Sequence, residues 1–104
     1  MTTKIKYAFL LRLEDESVLT KASAGNITKY ETEAKKIKTK LLISALKPDE
    51  RKKIESPKHG KWLSVCDKNK IIFTVCINKN YSERLGNQFL DECMTQFHNN
   101  IDKP

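Results

Sequence analysis

The stretch Ile71-Ile72-Phe73-Thr74-Val75-Cys76-Ile77 constrains this chain most, because it is apolar at odd and even positions alike. Successive side chains of a strand point to opposite faces of the sheet. A strand with this pattern can give neither face to water, so it belongs at the centre of a sheet with helices packed on each side. The rest of the chain must supply the neighbouring strands and that two-sided cover.

The neighbours are legible from period and punctuation. Ile5, Tyr7, Phe9, Leu11 and Leu13 alternate with Lys6, Ala8, Leu10 and Arg12, which predicts a strand whose middle is covered on both sides. Glu14 to Ser17 is a polar turn, and Val18–Ser23 a shorter second strand, closed by Ala24-Gly25-Asn26. Lys61–Cys66 predicts another strand, with Leu63 and Val65 on one face and Trp62, Ser64 and Cys66 on the other. Asp67-Lys68-Asn69-Lys70 is a tight hairpin turn into Ile71. His59-Gly60 is a further turn. Residues 48–58 stay open between a short helix begun at Pro48-Asp49-Glu50 and a brief edge strand near Lys53–Pro57; Pro57 excludes a central strand there.

Two helices supply the cover. Thr28-Lys29-Tyr30-Glu31 fits a capping box. Ile27, Tyr30, Ala34, Ile37, Leu41, Leu42, Ala45 and Leu46 then recur at helical spacing, predicting about five turns that end at Lys47 before Pro48. After the cap candidates Asn80 and Ser82, a second stripe runs through Tyr81, Leu85, Phe89, Leu90, Cys93, Met94 and Phe97. Residues 99–104 are expected to be a loop or linker. The predicted fold class is α/β (α+β): one domain over residues 1–104, an antiparallel sheet between helices on opposite faces, in the order β-β-α-(β)-β-β-α.

Function classes narrow by what the residues do not offer. The three glycines, Gly25, Gly60 and Gly86, stand far apart, so there is no phosphate-cradling loop. Cys66, Cys76 and Cys93 lack zinc-ligand spacing and fall on apolar faces, as reduced buried thiols in a reducing cytosolic compartment do. The longest apolar run, Tyr7–Leu11, has five residues, against about 20 for a membrane span. His59 reads as a turn residue and His98 as a residue on the polar side of the last helix. No catalytic residues, metal or cofactor are expected, and the chain is expected not to be an enzyme.

Charge is uneven. Residues 29–61 hold eleven basic against five acidic residues, so +6 of the chain's +7 lies in one third of its length. Lys35, Lys36, Lys38, Lys40, Lys52 and Lys53 form the expected basic surface, suited to a weak, salt-sensitive contact with an anionic membrane. Specific nucleic-acid recognition is not expected, since lysine outnumbers arginine and the aromatics are spent on buried faces.

With that order in hand, three stretches resemble the longin domain, the N-terminal module of synaptobrevin-like R-SNAREs. They are Ile5–Arg12 with Val18-Leu19-Thr20-Lys21-Ala22, then Lys58-His59-Gly60-Lys61-Trp62-Leu63, then Ile71–Ile77 with Asn80-Tyr81, Arg84, Phe89-Leu90-Asp91-Glu92 and Phe97. The likeness spans residues 5 to 97. The chain departs from the family in ending before a third helix, a SNARE motif and an anchor, and in placing Glu55-Ser56-Pro57 where an apolar edge strand is usual. The resemblance implies a profilin-like fold and a regulatory protein-binding module in vesicle-mediated transport, on the cytosolic face of endomembranes, in a parent protein that is membrane-anchored. The implied partners are SNARE helices, the chain's own or cognate ones, and coat or tether proteins. They would bind an apolar groove formed by Ile37, Leu41, Leu42, Leu46 and Ile54. The alternatives are a subunit of a tethering or adaptor complex with a similar fold, and a basic adaptor that binds anionic membrane or nucleic acid through residues 29–61.

Overall fold

The computed structural model describes residues 5–23, 28–56 and 60–102. Five strands and two helices follow in the order β1 (Ile5–Arg12), β2 (Ser17–Ser23), α1 (Thr28–Ser44), β3 (Arg51–Ser56), β4 (Gly60–Cys66), β5 (Ile71–Ile77) and α2 (Glu83–Asp102). The strands form one sheet, β2-β1-β5-β4-β3, in which every neighbouring pair is antiparallel. The fold is α+β. As its two-sided apolarity requires, β5 is the middle strand, and all seven of its residues are buried.

The two faces of β5 feed two cores. Cys76 and Ile72 join Tyr7, Phe9, Leu11, Trp62 and Cys66 beneath the α1 stripe Tyr30, Ala34, Ile37 and Leu41. Ile71, Phe73, Val75 and Ile77 join Leu63, Val65 and Leu90, with Phe89, Cys93, Met94 and Phe97 of α2 packed around them. The helices therefore lie on opposite faces, as the alternation predicts. In the first core Tyr7, Phe9, Tyr30 and Trp62 form an aromatic cluster with centroids 5.9–6.3 Å apart. Trp62 is fully buried, and its indole Nε1 donates to Glu33 Oε1 at 2.6 Å, which pins α1 to β4.

Several expectations need correction. Helix α1 stops at Ser44, three residues before the expected end at Lys47. Ala45 takes a left-handed conformation (φ 50°) and its amide bonds to the Leu42 carbonyl, the geometry of a helix C-terminus. Leu46 thus reaches the core from the loop. Pro48-Asp49-Glu50 opens no helix: Glu50 folds back, its amide to the Lys47 carbonyl and its Oε1 accepting from the Lys47 amide. Residues 51–56 form the edge strand instead. On α2, Leu85 is 40% exposed and Gly86 takes the sheet-facing position, because 86, 90, 93 and 97 keep the 4-3-4 spacing that Leu85 breaks. A Cβ at Gly86 would stand 2.6 Å from Leu63 Cδ1, so glycine is what lets this helix sit close. The loop expected over 99–104 is helical through Asp102. Gly60 is the first residue of β4, at φ 120°, where any Cβ would clash with the Ile77 carbonyl oxygen. The Thr28 side chain of the expected capping box lies outside the described residues, as do Ala24-Gly25-Asn26, Pro57 and His59.

Candidate functional site

The expected groove does not assemble. Leu41 is 0% exposed and Ile37 and Leu46 are also buried, all within the α1 core. The stripe looked longer than one narrow sheet face could use, but the sheet is five strands wide and takes in Tyr30, Ala34, Ile37, Leu41 and Leu46. Leu42 and Ile54 remain half-buried, packed against the rim of that core. They do not meet in one groove. Leu42 follows Lys35 and Lys38 at i+7 and i+4, so it shares their flank of α1. That flank faces β2, whereas Ile54 sits on β3 at the other edge of the sheet.

The concavity the fold does build lies on the β2 flank. A cleft of about 400 Å³ runs between α1 and β2. Tyr7 and Phe9 of β1 form its floor. Val18, Leu19, Thr20 and Lys21 form one wall, and Glu31, Ala34, Lys35 and Lys38 the other. Each wall has a local cause. The pairing of β2 with β1 slips between Leu10 and Leu11, where Leu10 faces Thr20 and Leu11 faces Val18, so Leu19 is an extra, bulged residue. A bulge twists and bends its strand. Here it leaves Val18 and Leu19 42% and 37% exposed. On the helix, Ala34 is too small to fill the space over Phe9. At one end Lys21 Nζ and Glu31 Oε1 close an ion pair of 2.6 Å. That pair holds the Glu31 carboxyl below the usual carboxylate range and the Lys21 ammonium above its own. Burial pushes the Tyr7 phenol up. The result is an apolar floor with a mainly cationic rim.

Sequence reading missed Val18, Leu19 and Lys21 as lining residues. The signal was present: Val18 and Leu19 are adjacent apolar residues in a short strand, and period two cannot bury both. The basic surface also divides. Lys35 and Lys38 line the cleft, Lys36 and Lys40 stand on the outer side of α1, and Lys52 is half-buried on β3. Lys53 is not a free cation. Its Nζ lies 3.3 Å from Glu83 Oε2, which also takes Lys61 at 3.1 Å, and hydrogen bonds from Lys61 and Lys53 hold the Glu83 carboxyl low.

His98 is not on a solvated face either. Its Nε2 lies 2.8 Å from Oδ2 of Asp67, a carboxylate only 1% exposed. Asp67 Oδ1 accepts from the amides of Asn69 and Ile71, both at 2.8 Å, so this pair organises the β4–β5 turn. The nearest thiol in sequence, Cys66, belongs to the opposite core. None of the three cysteines is in a disulfide, and burial raises each thiol, that of Cys76 to about 12. Among the described residues no three His, Cys, Asp or Glu side chains gather where they could hold a metal ion. No described helix is long and apolar enough to cross a membrane.

Compared with family models, curated proteins and solved structures, the chain matches none.

Proposed function

We propose that this chain is a longin-like regulatory module of a vesicle-trafficking R-SNARE, working by protein binding on the cytosolic face of endomembranes and not as an enzyme. The observation that carries the reading is the cleft between α1 and β2, an apolar trough with a cationic rim on a sheet ordered β2-β1-β5-β4-β3 between two helices. The stretches that carry the resemblance fall on the β1–β2 hairpin, the entry to β4, and β5 with α2. Recognition of an amphipathic helix needs exposed apolar residues on the receptor, which read anchors at i, i+3, i+4 and i+7. Val18 and Leu19 supply them, and Lys35 and Lys38 favour acidic residues beside those anchors. A SNARE helix, from the parent chain or a cognate one, has that character; seating it here would hold the SNARE closed or mark it for sorting by coat or tether proteins.

Titration of the chain with a labelled SNARE-motif helix tests this. The double variant Val18→Asp with Leu19→Asp should bind at least about tenfold more weakly, as for loss of a moderate hot spot, with an unchanged melting temperature. Ile54→Asp, at the far edge of the sheet, should bind as the parent does. Absence of binding by the parent chain, or loss with Ile54→Asp alone in a folded protein, defeats the assignment of this cleft.

A further inference from the structure

The tertiary structure divides the basic residues of 29–61 into a paired set and an open set. Three of them are matched on the α2 side. Arg51 pairs with Asp91 and donates to Asn87, while Lys53 and Lys61 share Glu83. On the α1 side the two acids of the helix are committed elsewhere. Glu31 is held by Lys21, and Glu33 accepts from the Trp62 indole. Among the described residues Lys35, Lys36, Lys38 and Lys40 close no ion pair.

Lys36, Lys40 and Ile43 stand at i, i+4 and i+7, so they form one stripe along the back of α1, away from Ala34, Ile37 and Leu41. Ile43 is 78% exposed, the most exposed large apolar side chain of the described residues. A large aliphatic residue so fully in water contributes nothing to the fold. Its neighbours on the stripe are cations.

We propose that the back of α1 is a docking surface for an anionic lipid bilayer, with Ile43 entering the boundary between headgroups and acyl chains and Lys36 and Lys40 lying against acidic headgroups. A bilayer suits the combination better than other anions. Lysines act on it as point charges and need no directional fork, the convex back of a helix offers a protein partner no pocket, and nucleic acid has no apolar phase to receive an isoleucine. The surface uses residues different from those chosen to test the α1–β2 cleft, so the two readings stand or fall separately.

Co-sedimentation of the chain with phosphatidylcholine vesicles, with and without a third of phosphatidylserine, tests the proposal. Binding is expected only to the anionic vesicles, and to fall away near 0.5 M salt, where the screening length shrinks to roughly 4 Å. Each lysine near such a surface contributes about a fivefold factor, so Lys36→Glu with Lys40→Glu should bind at least about tenfold less, with an unchanged melt because both side chains are exposed. Ile43→Ser should weaken binding several-fold. Ile43→Trp should shift its emission to the blue on anionic vesicles, against a constant background from buried Trp62. Failure to bind anionic vesicles, or an Ile43→Trp emission that ignores them, overturns the proposal. So does duplex DNA that binds as tightly as the vesicles and is indifferent to Ile43→Ser.

Discussion

Asp67 is the polar residue on which most local structure converges. Its carboxylate is buried, receives two turn amides and faces His98 from α2. Replacement by alanine leaves two amides without acceptors and removes the contact to the helix. Each buried group stripped of its partner costs about 1–3 kcal/mol, so Asp67→Ala should lose about 2–4 kcal/mol in urea unfolding. Asp67→Asn keeps an oxygen for the amides and should lose less than half as much; equal losses would mean that the charge, and not the turn geometry, matters. Cys76 gives a pH prediction. Burial favours the neutral thiol and raises its ionisation to about 12, and Cys66 and Tyr7 shift the same way for the same reason. A group raised on folding contributes stability that is complete below its unfolded value, about 8.5 for a thiol, and is lost as pH climbs toward the folded one. The urea midpoint should therefore decline between about pH 8.5 and 11, more shallowly in Cys76→Ala. A midpoint flat over that range would contradict the burial argument.

At the scale of elements, α2 depends on a missing side chain. Alanine for glycine in a helix ordinarily gains up to about 1 kcal/mol. At Gly86 the new Cβ would meet Leu63 Cδ1 at 2.6 Å and Ile77 Cδ1 at 3.3 Å, both inside a closed core. Overpacking of that kind costs roughly 1–3 kcal/mol, so Gly86→Ala should be net destabilising by about 1 kcal/mol. Leu63→Val makes room at the same point. A double-mutant cycle should show the pair less harmful than the sum of its parts; strict additivity would place the strain elsewhere. Helix α1 is seated differently, by an aromatic floor and one charged hydrogen bond from Trp62 to Glu33. That seat presses the stripe Tyr30, Ala34, Ile37 and Leu41 inward and leaves the back of the helix to its lysines.

For the whole molecule, the governing fact is that one sheet serves two cores. Alternate residues of β5 belong to different hydrophobic clusters, so neither cluster can dissolve while the strand stays in place. Unfolding should be a single transition. Trp62 fluorescence reports on the α1 core, and far-UV circular dichroism on both helices. The two should give the same midpoint, including in Leu90→Ala, which opens only the α2 core and should cost about 2–5 kcal/mol. A Trp62 transition that lags behind the helical signal in that variant would show that the cores melt separately.

Periodicity was enough for four of the five strands, the two helices and their placement on opposite faces, because alternation in β5 and 3.6-residue spacing in the helices are local consequences of backbone geometry; the edge strand β3 stayed open with a short helix. Even the face of each β4 residue was legible, Trp62, Ser64 and Cys66 against Leu63 and Val65. Where a helix ends and which apolar residues stay in reach of solvent depended on contacts across the chain. Ala45 ends α1 before the Pro48 signal, and the width of the sheet, a sum over strands distant in sequence, buried Ile37, Leu41 and Leu46. Period could not show that Gly86, and not Leu85, faces the sheet, since glycine carries no hydrophobic signal. The cleft needed a bulge at Leu19 against a small residue at Ala34, and the pairing of basic side chains with acids needed partners up to 40 residues away, as for Arg51 and Asp91. Local sequence sets what each element is; the surface left between elements is a property of their packing.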